Sequence, residues 1–321
     1  MADTKISAFT AGAPALSTDE VIVARSGGNR RLTLEQVLAL RRSPRNLVVN
    51  GGGDIAQRGT TQALTTAMAY GSLDRWAFMQ VTSANGAATQ GGSIEAGFPK
   101  SIKIGRTADS ALTGIVAACQ AVESVDAVRY AGKQITFSFR ATAGSTYSAA
   151  GGVIAVQVQS GTGTDQTAAQ VWSGGWTGQN VFINDATKVI NSSTSTRCTY
   201  TATVPANCNQ LAVSIFYTPV GTAGATDAVW FTDVRLHEGP DITEFFGYRA
   251  YAEELALARR YCRVGSIYVP AAYQSLPIDM RAIPTITGGG AGYSSTGTSA
   301  TTLVHQQTAA ALRTLVLTAE I

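Results

Sequence analysis

The chain predicts an all-β protein whose body is an antiparallel β-sandwich, and three observations carry that expectation. Strand-length runs alternate between apolar and polar residues. In 133–140, Ile135, Phe137 and Phe139 take one face and Gln134, Thr136 and Ser138 the other. The pattern recurs in 153–159, where Ile154, Val156 and Val158 oppose Ala155, Gln157 and Gln159, and in 211–217, where Leu211, Val213 and Ile215 point inward. Such alternation means antiparallel sheets with one buried face, packed as a sandwich. The second observation is compositional: 33 glycines, loops rich in Gly, Ser and Thr, and only 14% charged residues favour strands and turns over helical bundles. The third is that no helical period of any length interrupts 46–239, which disfavours a parallel α/β sheet.

Taken in order, residues 1–45 read as a small module. Val21 to Ala24 form a strand, Ser26-Gly27-Gly28-Asn29 a turn, and Arg30 to Leu32 the return of a hairpin. Thr33 then begins a short helix, with Gln36 three residues on as in a capping box and Leu34, Val37 and Leu38 on one face. A unit this small buries too little apolar surface to stand alone, so it must dock onto its own copies or onto another protein. Ser43-Pro44 breaks the helix and serves as a linker.

The sandwich is assigned to 46–239. It opens on Leu47, Val48 and Val49, which run into the tight turn Asn50-Gly51-Gly52-Gly53-Asp54, and it closes on 228–236. In that closing strand Trp230 is in phase with Val234 and Leu236 and is expected in the core, as is Trp76. A linking segment, 240–265, holds a helix over 250–261, with Glu253 and Glu254 early and Arg259 and Arg260 late, as the helix dipole prefers. Gly265 is expected to stop it, and Tyr251, Leu255 and Tyr261 to pack at an oligomer axis; binding a partner or a membrane is the other reading of this amphipathic element. Residues 266–321 read as short strands around a thin core that neighbouring copies would complete.

Charge and cysteine usage exclude several classes. A net charge of +3, with 24 basic residues scattered along the chain, is too dilute for a nucleic-acid footprint. No apolar run approaches a membrane span and the first residues carry no secretory core, so assembly in the cytoplasm is expected. Cys119, Cys198, Cys208 and Cys262 show no CxxC spacing, and with only two histidines a sulfur-bound metal is not expected. Cys198 and Cys208 flank a nine-residue run and could face each other across neighbouring strands, although two reduced thiols acting as small apolar residues is the simpler reading.

The combination of NLVVNGGGDIAQRG, SLDRWAF, CQAVESVDAVRYAGKQITFSFRA, AVWFTDVRL, YAEELALARRYC and MRAIPTIT, in this order, resembles virion proteins of tailed bacteriophages. In those proteins a carbohydrate-binding-module-like jelly roll is followed by a short helix and a small β-domain. The segment DTKISAFTAGAPALSTDEVIVARSGGNRRLTLEQVL is similar to the attachment modules that begin many phage appendage proteins. The resemblance implies a multimeric virion component, a homotrimer foremost, attached to other virion proteins by its N-terminus: a tail fibre or tail appendage protein in contact with host surface glycans. Its alternatives are a capsid decoration or head-fibre protein, and a polysaccharide depolymerase.

Catalysis finds no support in the motifs. GxSxG, HExxH and P-loop runs are absent, and Asp54, Asp74, Glu95, Asp109, Glu123, Asp126, Asp185, Asp227 and Asp233 occur singly, as turn and edge residues do. Two of these carboxylates meeting in space would be the route to a glycosidase, but the chain is read as a non-enzyme. Sugars stack their C–H faces on flat rings while amides and carboxylates take their hydroxyls. Residues 171–180 have that composition, so Trp172, Trp176, Gln179 and Asn180 are the candidate carbohydrate-binding residues, the ordinary alternative being that both rings pack under the loops. Jelly-roll modules of the kind resembled often carry a structural calcium between first and last strands. Asn50, Asp54 and Asp233 are the candidate ligands here, against a plain turn, and no other cofactor is expected.

Overall fold

The computed structural model describes residues 45–240, 249–268 and 280, together with the strands at 20–25, 28–33, 273–275, 285–288, 293–297, 302–307 and 312–318. The chain divides into two units, residues 1–45 with 242–248, and residues 46–241 with 249–321. In the first, β1 (Glu20–Arg25) and β2 (Gly28–Thr33) form the expected antiparallel hairpin, with Arg25 opposite Gly28. The helix expected from Thr33 lies outside the described residues.

Residues 46–241 hold twelve strands in two antiparallel sheets. The strands are β3 (Thr61–Ala63), β4 (Ala69–Tyr70), β5 (Ala77–Gln80), β6 (Gly86–Gly91), β7 (Ser101–Arg106) and β8 (Val116–Val122). The second half supplies β9 (Gln134–Ala143), β10 (Val153–Gly161), β11 (Asn180–Val189), β12 (Thr196–Thr203), β13 (Gln210–Tyr217) and β14 (Ala228–Glu238). One sheet has the order β12-β9-β14-β7-β6-β3 and the other β11-β10-β13-β8-β5-β4. From β7 to β10 and again from β11 to β14 successive strands cross between sheets, the winding of a jelly roll. The inward residues named from the sequence for β9, β10 and β13 lie in the core, where Phe139 and Trp76 meet Phe231, edge-on at 6.5 and 5.8 Å.

The opening and closing segments pair with each other. Leu47 donates its N–H to the Leu236 carbonyl at 2.9 Å, and Val234 donates to the Gly51 carbonyl at 3.1 Å. Asn46 bridges the same backbone, accepting from the Leu236 N–H at 2.9 Å and donating to the Val234 carbonyl at 3.0 Å. The turn beyond is more than a run of glycines. Asn50, at φ 58°, is buried, and its side-chain amide donates to the Ile55 and Asp74 carbonyls at 2.8 and 2.9 Å while accepting the Ile55 N–H at 2.9 Å.

Trp230 departs from expectation. It is only partly buried, on the outer face of its sheet, and Val229 and Phe231 take the core positions instead. The cause is a bulge: the register of β14 against β9 shifts between Thr232 and Arg235, with Asp233 at φ 55°. One extra residue inverts the alternation, so Trp230 and Leu236 lie on opposite faces although both are even-numbered.

The helix is shorter than expected, Tyr251–Arg259, and it docks on the sandwich. Leu255, Leu257 and Ala258 pack against Val49 and Ile55, and Tyr261 lies under Arg75, whose guanidinium carbon is 3.6 Å from the ring centroid. Two of the three side chains expected at an oligomer axis, Leu255 and Tyr261, are therefore engaged within the chain; Tyr251 is exposed. Gly265 does not stop the helix. It sits inside strand β15 (Cys262–Tyr268), opposite Leu315. The remaining strands, β16 (Tyr273–Ser275), β17 (Thr285–Gly288), β18 (Tyr293–Gly297), β19 (Thr302–Gln307) and β20 (Leu312–Thr318), form two three-stranded sheets, β15-β20-β17 and β16-β19-β18.

Candidate functional site

The sheet β11-β10-β13-β8-β5-β4 has an unusual outer face. Ala117, Cys119 and Ala121 of β8, Ala212 of β13 and Ala155 of β10 are small, and they leave room for a second apolar layer outside the main core. That layer is supplied by a short helix, α1 (Ala168–Trp172), which brings Ala168 and Val171 onto the sheet. The sequence signal for this helix is the pair Thr167 and Gln170, three residues apart: Gln170 Oε1 accepts the Thr167 N–H at 2.9 Å. The segment 171–180 is thus the end of a helix and its return, not a bare loop.

Beside α1 the second layer stops and a cleft of about 390 Å³ opens, lined by Ala155 and Gln157 of β10, Asp185 and Thr187 of β11, Phe216 of β13, and Trp172. Trp172 stands at its wall, partly exposed, its ring at 87° to Phe216 with centroids 5.3 Å apart. Its indole N–H donates to Ser214 Oγ at 3.1 Å, which fixes the ring's pitch. Ser214 also contacts Cys119 beneath, whose thiol burial pushes up to about 12.

The other residues expected to bind sugar are placed differently. Trp176 is buried, 4% exposed, with its indole N–H on the Thr167 carbonyl at 3.0 Å, so its ring is a packing element and offers no stacking face. Gln179 is turned inward as a brace, donating to Gln159 Oε1 at 2.5 Å and to the Val171 carbonyl at 2.9 Å. Asn180 is exposed at the start of β11 and does not line the cleft. The structure instead brings Gln157, Asp185 and Phe216 to Trp172. Gln157 was legible as an outward residue of an alternating strand, but Asp185 was not. It occupies a bulge in β11, where Val156 pairs with Ala186 and Val158 with Ile183, and its φ of 47° turns the carboxylate onto the cleft face.

The calcium candidates do not fit as a set. The Asn50 side-chain oxygen accepts the Ile55 N–H, and the Asp233 oxygens accept from Arg197 and Arg235, both at 2.5 Å. That leaves Asp54, and among the described residues no group of three or more His, Cys, Asp or Glu side chains is placed to hold an ion.

No family model and no curated protein matches the chain. Solved structures do. The enzymatically active domain of tailspike protein 4 of bacteriophage CBA120 aligns at 11% identity over 60% of this chain with a TM-score of 0.37, and the chain spans 21% of that protein's length. A CBM4 carbohydrate-binding module aligns at 18% identity, covering 59% of this chain and 98% of its own, with a TM-score of 0.35. TmCBM61, solved in complex with β-1,4-galactotriose, aligns at 10% identity, covering 61% and 99%, also at 0.35. The jelly roll rests on the strand order above.

Proposed function

We propose that this chain is a structural component of a tailed-phage virion, a tail fibre or tail appendage protein anchored through its N-terminal residues as a homotrimer, and that its jelly roll contacts glycans of the host surface. The observation that carries the glycan reading is the open cleft in which Trp172 stands beside the Gln157 amide and the Asp185 carboxylate, a partly exposed ring with hydroxyl-reading groups at its edge. The virion reading rests on the sequence resemblance. A helix long and apolar enough to cross a membrane is absent among the described residues, which leaves both readings standing.

Two experiments test the two halves. Gold-labelled antibody against this protein should decorate phage tails in negative stain; label over the capsid faces would overturn the tail assignment. In a protein shown to bind host cells, Trp172→Ala should abolish binding while Trp230→Ala, on the other sheet, leaves it unchanged. Retained binding in Trp172→Ala would remove the cleft from consideration.

A further inference from the structure

Among the described residues Asp185 is the one charged side chain lining the cleft, and it is held by a directional chain of amides. The chain starts at the Trp176 N–H, which donates to Gln179 Oε1 at 3.4 Å. Gln179 Nε2 donates to Gln159 Oε1 at 2.5 Å, Gln159 Nε2 to Gln157 Oε1 at 2.8 Å, and Gln157 Nε2 to Asp185 Oδ1 at 2.6 Å. Each amide is oriented by the one before it, so the last donor is fixed as an N–H and the Asp185 oxygen facing it is spoken for. The second carboxylate oxygen is left to accept from a ligand. Among the described residues no cation lines the cleft: Lys188, on the same strand, pairs with the inward-facing Ile154 and so belongs to the opposite face.

On the reading that the cleft binds glycan, we infer that its ligand class is uncharged and hydroxyl-rich, with Asp185 as the residue that sets the selectivity. A carboxylate accepting a sugar hydroxyl forms a charge-assisted hydrogen bond. The same carboxylate repels a uronate, sulfate or sialate, and a cleft without a cation has nothing to compensate. The left-handed backbone of Asp185 supports an assigned role. The bulge, with a non-glycine residue at φ 47°, interrupts a β10–β11 pairing that continues on either side, and it aims the carboxylate at Gln157 and the cleft.

The test is affinity electrophoresis of the full chain in gels containing soluble neutral polysaccharides (galactan, mannan, arabinoxylan, dextran) or polyanions (polygalacturonate, hyaluronate, alginate). Wild type should be retarded by at least one neutral polymer and by none of the polyanions. Asp185→Asn, nearly isosteric and checked by thermal melting, should bind the neutral polymer about tenfold more weakly, the loss of one charge-assisted bond. Asn180→Ala, exposed on the same strand but outside the cleft, should bind as wild type does. Polyanion binding as tight as neutral binding would overturn the ligand class while leaving the glycan reading intact. Neutral binding unchanged in Asp185→Asn would overturn the role of Asp185. Binding to no polymer of either set, together with unaltered cell binding by Trp172→Ala, would overturn the cleft reading itself.

Discussion

Arg106 donates from Nε to Asp227 Oδ2 over 2.6 Å with both side chains closed to solvent. The pair is fully dressed. The Arg106 Nη1 group reaches the Leu112 and Gly221 carbonyls at 2.8 and 2.9 Å, and Asp227 accepts the Ser148 N–H and hydroxyl at 2.9 and 3.0 Å. Three loops at one end of the sandwich are therefore tied through one ion pair.

Removing one partner should cost far more than a surface ion pair would. Asp227→Ala leaves a guanidinium buried among carbonyls without its counter-charge, for which about 3–5 kcal/mol of unfolding free energy is the expected loss. Urea titration should show a lower midpoint at unchanged slope. A loss under about 1 kcal/mol, the size of an exposed pair, would mean the end loops are solvated in solution.

The seam between first and last strands makes a second prediction. A Cβ on Gly51 would lie 2.3 Å from the Val234 carbonyl oxygen, whereas one on Gly92 would meet nothing within 4 Å. Gly51→Ala should therefore destabilise by about 1–3 kcal/mol through a forced backbone shift. Gly92→Ala should be close to neutral. Amide exchange locates the effect: the Val234 N–H, which donates to Gly51, should lose protection in the first variant only.

What the sequence disclosed and what it hid divide along the same physical line. Regular alternation identifies β9, β10 and β13 because every residue of a regular strand reports the face of its neighbours. A bulge breaks that inference for everything beyond it. Asp233 put Trp230 on the wrong face in the sequence reading, and Asp185 went unseen as a cleft residue for the same reason. Trp172 was legible as a candidate from its glycine-rich surroundings. That Trp176, four residues on, would be buried depended on small residues of β8 and β13 far along the chain. The docking of the helix was equally hidden, since Arg75 over Tyr261 and Glu123 beside Arg260 are encounters across more than a hundred residues.

Alkaline conditions should expose the buried thiols and phenols as a group. Burial pushes Cys119 and Cys198 up to about 12 and Cys208 up to about 11, from an ordinary 9.0, and it raises Tyr147 and Tyr217 as well. A group whose pKa is higher folded than unfolded contributes stability that is present below its unfolded value and lost as pH rises through the folded one. Stability should thus fall as pH rises from about 9 through 12. The same shift makes the three thiols inert to an aromatic disulfide reagent at pH 8, with reaction only after unfolding, because the thiolate is the nucleophile. Rapid native-state labelling would contradict their burial.

Asp54 and Glu254 give the last test, at the contact between the helix Tyr251–Arg259 and the sandwich. Glu254 accepts the Asn50 N–H and pairs with Arg249 at 3.1 Å. Burial first, and the Glu254 charge second, hold the Asp54 carboxyl above its ordinary range, with Lys100 opposing. Its contribution to stability is consequently present below its unfolded pKa and lost as pH rises through the folded value, so this contact weakens on leaving acid. Glu254→Gln keeps the shape and an acceptor for the Asn50 N–H but removes the repelling charge. NMR titration of the Asp54 carboxyl carbon should then show a lower pKa than in wild type, still above the ordinary value because burial remains. An unchanged titration would mean that the helix does not sit against the Asn50 turn in solution, since the coupling needs the two carboxyls close together.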